Sequence, residues 1–529
     1  MARPAAEDQM RRLVLLLAVV AVPVAVPAGE SPPVLPYEAA GQFVPTGPID
    51  ECVLADLRAH GITPAPLCSD AVFVRRVYLD VIGTLPTAAE VGTFLADEHP
   101  DKRAVLIDAL LERDEFADYW ALKWCDVLRV KSEFPINLWP NAAQAYHHWV
   151  REALASNLPY DAFVREVLTS SGSNFRVPPV NFYRAGQGHE PETLARAVAL
   201  TFMGTRLEHW PEEQRRNLAA FFSRVGFKAT AEWKEEIVYL DPAAAKPLDA
   251  TFPDGRCLRV PVGQDPRQAF ADWLISADNE WFTRCIANRV WAWLMGRGIV
   301  DEPDDVRADN PPANPALLAS LQAELVRSGY DLRQLYRVIL NSRTYQQSSI
   351  PRGDVAEAEA HFAVYLLRRL DAEVLIDAIN GICGTHEEYT SAVPEPFTHI
   401  PKEKRTIALA DGSISSAFLE LFGRPARDTG LMAERNNRVT DGQRLHLLNS
   451  SHIQKKIQEG PALQDLLRSA RRDRRQLVST LYLTILSRHP TPEEERAAVS
   501  YLRSAQAPRQ AAHDLVWALF NSREFQFRH

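Results

Sequence analysis

The sequence predicts a mainly α-helical protein built as two multi-helical domains. Three observations carry that expectation. Apolar residues recur at the 3.6-residue spacing of an amphipathic helix in one segment after another. A unit of helix, proline break, capping box and helix occurs twice. β-prone residues gather near 236–260, enough for a small β-hairpin. A chain of 529 residues, 46 % hydrophobic and 24 % charged, has the composition of a globular protein. Its length suits roughly two to four domains.

Residues 1–28 read as a signal peptide. Arg11 and Arg12 precede the apolar run Leu13 to Val22, and Val26-Pro27-Ala28 places small residues ahead of Gly29. Met10 gives a more typical signal start than Met1, whose version carries Glu7 and Asp8. Pro23 and Pro27 interrupt the run, which is short of the roughly 20 residues of a membrane span. The expected location is exported, periplasmic or secreted, with no integral membrane span once the signal is removed. Residues 29–69, rich in Pro, Ala and Gly, read as an extended lead-in.

The first domain, 70–262, opens on a helix with Phe73, Val74, Val77, Tyr78 and Val81 on one face. Leu85-Pro86 ends it, and Thr87-Ala88-Ala89-Glu90 is a capping box that starts the next. Helices follow at 102–112, 115–129, 142–156, 160–169, 191–204 and 213–224. Ile237-Val238-Tyr239-Leu240 is the most β-prone stretch. The second domain, 263–529, begins with helices at 267–276 and 280–296. Asn314 suits an N-cap, Pro315 the first helical position and Gly329 the stop. Leu317, Leu318, Leu321 and Leu325 form the stripe between them. Asp331 caps the next helix, with Leu332, Leu335, Ile339 and Leu340 inward. Tyr78-Leu79, Pro86-Thr87 and Glu90 recur at constant offset as Tyr482-Leu483, Pro490-Thr491 and Glu494. ALLERDEF (109–116) is echoed by ALFNSREF (518–525) and, more distantly, by ILNSRTY (339–345). This is a repeated helix-pair unit whose apolar face one pair cannot cover alone.

Fifty-nine basic and 68 acidic residues give a net charge of −9, which argues against a nucleic-acid partner. Among the 6 cysteines, Cys52 and Cys68 are the candidate disulfide for an oxidising compartment, with other pairings open. Cys125 and Cys285 fall in apolar helical patterns as buried thiols.

Long, ordered stretches carry a resemblance. They include FVRRVYLDVIGTLPTAAEV, FADYWALKWCDVLRV and YHHWVREALASNLPYDAFVREVLTSSGS, then ANRVWAWLMGRGIVDEPDDVRADNPPANPALL, LFGRPARDT, LHLLNSSHIQ and SREFQFRH. In these the chain resembles a family of large exported bacterial proteins, best known from planctomycetes, with two domains of unknown function numbered 1549 and 1553. The resemblance implies a cytochrome-associated system, since many members hold a haem-attachment Cys-x-x-Cys-His after a segment like ALTFMGTRL. Here the chain runs Phe202 to Pro211 with His209 and no cysteine, so covalent haem is excluded on chemical grounds. Relatives often show Cys-x-Cys after FGRPARDT, where this chain has Gly430-Leu431-Met432-Ala433-Glu434-Arg435. A sulfatase-like exported protein of unknown-function family 1501, often encoded beside relatives, is the implied partner.

Familiar catalytic signatures are missing from the sequence. The acidic loop Asp301, Glu302, Asp304 and Asp305, followed by Asp309 and Asn310, is the candidate site. Its carboxylates can ligate calcium or supply a general acid and base, or can simply cap backbone and face solvent. Asn288, Arg289, Arg307 and Arg343 are the groups expected beside it, to bind an anionic sugar or organic acid or to form internal ion pairs. Trp120, Trp124, Trp139 and Trp149 suit the core better than a sugar platform. Two function classes lead, ahead of electron transfer through a partner's cofactor. The leading one is a haem-less periplasmic binding or assembly partner. The other is an enzyme acting on extracellular polysaccharide or its breakdown products through the loop around Asp305.

Overall fold

The computed structural model describes residues 33–41, 43–243, 246–469 and 473–529. The signal-peptide segment lies outside the described residues. The chain is mainly helical with small sheets. Helices stand at Lys102–Leu111, Asp114–Val127, Pro140–Ala155 and Tyr160–Thr169, within two residues of the periodic segments. Pro191–Val198 passes into a π-helical turn, Ala199–Met203, stopped by Gly204 in the left-handed region. In the second half, Pro266–Leu274 and Glu280–Met295 precede Pro315–Arg327, which the Asn314 side chain caps, and Leu332–Asn341, which Asp331 caps. Among the described residues, no helix is long and apolar enough to cross a membrane.

One expectation needs correcting. The lead-in is not extended throughout, because Pro48–His60 is a helix. A proline at the first helical position starts a helix rather than breaking it, and Val53 and Leu57 bury its inner face. Cys52, on that helix, and Cys68 stand as separate thiols. The Cys52 carbonyl meets Asn314 Nδ2 at 3.1 Å, while Cys68 is fully buried and its N–H donates to Gln346 O. The small β-hairpin expected near 236–260 is present, beside a second, separate strand set. Glu236–Leu240 pairs back onto Val225–Ala229 and Gly172–Ser173, and a separate hairpin joins Leu248–Thr251 to Cys257–Val260. A further antiparallel pair, Arg368–Arg369 with Phe527–Arg528, lies far from that island in sequence.

The repeated unit is visible in detail. Helices Asp70–Val81 and Ala88–Ala96 are matched by Arg474–Leu486 and Pro492–Ser504, and both second helices open on a complete capping box. The turns coincide as well, with Gly83 at φ 59° and Ser487 at φ 58°. Each copy stacks an arginine on its tyrosine and ties it to the capping glutamate. Arg113 lies over Tyr78 and 3.0 Å from Glu90, and Arg488 over Tyr482 and 2.7 Å from Glu494. A second glutamate completes both sets, Glu115 in one and Glu524 in the other. The arginines come from different places in the two copies, so the ion-pair set is shared although its sequence pattern is not. ILNSRTY shares the local turn, since Ser342 Oγ accepts from Tyr345 N as Ser522 Oγ accepts from Phe525 N.

The copies differ at the turn itself. A Cβ on Gly83 would stand 2.5 Å from the Tyr119 ring, whereas Ser487 already carries one. Gly83→Ser therefore loses about 1–3 kcal/mol by overpacking. Ser487→Gly costs nothing at the turn or gains up to about 1 kcal/mol, because it removes a left-handed non-glycine residue. Urea unfolding of the two variants checks the difference, and equal effects would show that the Tyr119 contact does not matter.

Candidate functional site

The groups singled out in the sequence are placed individually. Arg289 and Asp304 form an ion pair at 2.9 Å with both side chains fully buried. The π-helical turn presents free carbonyls to the same arginine, which donates to Thr201 O at 2.6 Å and Leu200 O at 3.2 Å. The other Asp304 oxygen accepts from Met432 N at 2.6 Å. Asn288 clamps Val300 by both backbone groups. Asn310 donates to the carbonyls of Asp301 and Asp305. Arg307 pairs with Asp305 and Asp309, Arg297 with Asp301, and Arg206 with Glu302 at 3.8 Å. Arg343 lies elsewhere, its backbone N–H on Asp50. The loop thus holds its own shape, with each of its carboxylates facing an arginine. His209 is exposed. Trp120 and Trp124 are core, while Trp139 meets the exposed Trp233 and Phe397 at the surface.

A different set of residues converges on a cleft of about 280 Å³. Helix Asp114–Val127 contributes Lys123 and Asp126. The segment before helix Ala372–Cys383 contributes Arg368, Arg369 and Asp371. Arg435 and Asn437 arrive on the loop after the 3₁₀ turn Met432–Glu434, and Arg528 on the strand paired with Arg368–Arg369. Gly296 closes helix Glu280–Met295 at φ 87°, and any side chain there would overlap the Arg368 stem. That close approach lets Arg368 donate to Trp293 O and Leu294 O.

The electrostatics of the cleft are uneven. Asp371 takes Lys123 at 2.8 Å, Arg528 at 2.7 Å and Asn437 Nδ2 at 3.0 Å. Asp80 takes Arg528 at 2.8 Å and Arg368 at 3.6 Å. Arg435 bridges Asp126 and Glu373 at 2.7 Å each, and these two carboxylates also serve Arg427 and Arg424. Among the described residues, six cations are thus paired with four carboxylates, and Arg369 with none. Arg369 bonds only the carbonyls of Phe422 and Asn436, and its Nε and Nη1 are buried without a partner. Asn437 Oδ1, a buried acceptor, is likewise open. Buried polar atoms normally have partners, and in the cleft these are the groups left open to one.

Burial alone would raise the Asp371 carboxyl, but Lys123, Arg528 and Arg435 together hold it well below the usual range. Burial pushes the Lys123 ammonium down to about 8 against the pull of Asp371. Burial likewise lowers the Arg369 guanidinium, to about 10. The arrangement can hold an anion, and Lys123 is the cation in it that can release a proton near neutral pH.

Little in the sequence marked this cleft. Lys123 and Asp126 interrupt an otherwise apolar helix, and Arg368-Arg369 with Asp371 is a local charge cluster. Their convergence depends on contacts spanning 157 to 448 residues.

Residues 48–223 match the family model described as a protein of unknown function (DUF1549), and residues 266–502 match a second protein of unknown function (DUF1553). No curated protein and no solved structure matches the chain.

Asp371→Asn leaves Lys123, Arg528 and Arg435 partly unpaired in a desolvated site, at an expected cost of about 3–5 kcal/mol. Because its folded carboxyl titrates well below the unfolded one, the stability Asp371 adds is present above the ordinary carboxylate range of about 3.9. It is lost as pH falls through the folded value. Urea unfolding at neutral and acid pH checks both statements. A variant as stable as the parent at neutral pH would remove Asp371 from its central place.

Proposed function

We propose, for a chain that belongs to the family joining unknown-function domains 1549 and 1553, that the cleft binds a small organic acid or anionic sugar. The observation that carries this reading is Arg369, buried in a cation-rich cleft with two N–H groups unpaired and no carboxylate partner. Arginine presents a planar fork that matches a carboxylate in two-point contact. Asn437 Oδ1 is an acceptor beside it and suits a ligand hydroxyl. A volume of about 280 Å³ limits the ligand to a small molecule.

The reading favours the binding class over an enzyme. The acidic loop supports that choice indirectly. Asp304 holds Met432, and the loop that follows delivers Arg435 and Asn437. As a haem-less binding or assembly partner, the protein would work outside the cytoplasm, beside a sulfatase-like partner of unknown-function family 1501.

Thermal unfolding with citrate, glucuronate and sulfate tests the reading. At a concentration near 100 times Kd, a bound anion adds about 2.7 kcal/mol of stability. Arg369→Gln should abolish the effect while leaving the unliganded protein folded. The affinity should be flat below about pH 8 and fall above it, as Lys123 loses its charge. Lys123→Arg should extend the flat range, since guanidinium stays protonated. No stabilisation by any of the three anions, or the same stabilisation in Arg369→Gln, would overturn the proposal.

A further inference from the structure

Away from the cleft, Asp56, His60 and His361 each bring one ligand atom to within 4.8 Å of the others. Asp56 and His60 are four residues apart on helix Pro48–His60 and so share a face. Gly61 stops that helix directly after His60, with its N–H returned to the carbonyls of Arg58 and Leu57. His361 comes from the second half of the chain, at the end of helix Val355–Ala360. Phe362 fixes its position. It is buried in left-handed backbone, with its ring edge-on to Trp291 at 5.2 Å. Ala363 O then accepts from Ala65 N at 2.8 Å. The backbones on both sides of the cluster are therefore anchored independently of it.

Within the cluster, Asp56 Oδ2 lies 2.7 Å from His361 Nδ1, and Asp56 Oδ1 lies 3.4 Å from His60 Nδ1. The two imidazole rings stand 4.2 Å apart. His60 Nδ1 also lies 2.9 Å from the Asp56 carbonyl. A proton donated there leaves Nε2 as the free lone pair. That is how ligating histidines are usually oriented, one nitrogen on a carbonyl or carboxylate and the other on the metal.

We propose that Asp56, His60 and His361 bind one divalent transition-metal ion, zinc by the chemistry of the donor set. Two imidazoles and one carboxylate are a familiar zinc set with a fourth position left for water. Ligands on one zinc, at bonds of about 2.0–2.1 Å, stand about 3.3 Å apart. Side-chain rotation supplies that contraction, because His60 is half exposed and free to turn. The carboxylate and both imidazoles are accessible enough for an ion to enter, with 16, 50 and 21 % of the side chains exposed. The ion ties helix Pro48–His60 to a segment 305 residues away. Its effect is to lock the first helix of the described fold onto the second half of the chain.

Zinc titration of the full chain, after chelation and dialysis, tests this by calorimetry and by metal analysis of the recovered protein. One zinc per chain is expected, with a rise in the thermal midpoint. Cobalt substituted for zinc should give a visible spectrum with nitrogen ligands. His60→Ala and His361→Ala should each weaken binding by about 100-fold or more, beyond the usual 10–100-fold loss for a residue that only supports a ligand. His60 is exposed enough that its variant folds, and Arg369→Gln should bind zinc as the parent does. Failure of the parent to take up stoichiometric zinc, or zinc binding by both histidine variants as tight as the parent's, would reduce the cluster to a carboxylate–imidazole ion pair and overturn the proposal.

Discussion

The junction of the two halves depends on carboxylates that are desolvated and shared. Asp80 sits on helix Asp70–Val81, and Asp371 is the N-cap residue of helix Ala372–Cys383. Arg528 bonds both, and Lys123 and Arg368 join from two further elements. Taking such charges out of water is costly, and the cost is offset only where each is closely paired and hydrogen-bonded. Tyr345 and Tyr365 both donate to Asp80, and Tyr119 donates to Asp371. The carboxylates are fully satisfied while some of the cations are not. The surplus of buried positive charge in the cleft follows from that imbalance.

The Arg289–Asp304 pair serves the same junction at one remove. It is fully buried, and its arginine fills the carbonyls that a π-helical turn leaves free. Asp304 then anchors Met432. The acidic loop is therefore a brace for the loop wall of the cleft rather than a cluster of free carboxylates. Its charge density comes from pairing with Arg206, Arg297 and Arg307, each drawn from near that loop or packed against it.

What the sequence disclosed was local. Capping boxes at Thr87 and Thr491, N-caps at Asn314 and Asp331, and the apolar stripes between them are decided within one or two helical turns, and the helices follow them. Helix Pro48–His60 was hidden because proline content argues for extension unless its position in the helix is known. The partner of strand Glu236–Leu240 was hidden because strand pairing is non-local, and β propensity names a strand without naming its neighbour. The candidate cleft was hidden for a similar reason. Arg369, Arg435 and Arg528 look like ordinary surface charges in sequence, and only the fold distinguishes them, burying Arg369 and Arg528 and leaving little of the Arg435 side chain exposed. Asp56 and His60 were readable as a pair at helical spacing, but the helix that spaces them was not expected.

The duplicated unit suggests where function entered an otherwise structural design. In the second copy, Arg488 closes the tyrosine and both glutamates into one buried set, with Ser487 at the turn. In the first copy the equivalent turn is Gly83, and the space a side chain would take is filled by the Tyr119 ring. Tyr119 passes from that turn to Asp371 and Arg528, which line the cleft. At this turn the two units differ by one side chain, and Tyr119 connects the first to the charged junction. Repetition alone supplies two apolar faces and a stable pair of turns. With no side chain at Gly83, the Tyr119 ring has room beside the turn, and its hydroxyl reaches a carboxylate that already serves Lys123, Arg528 and Arg435.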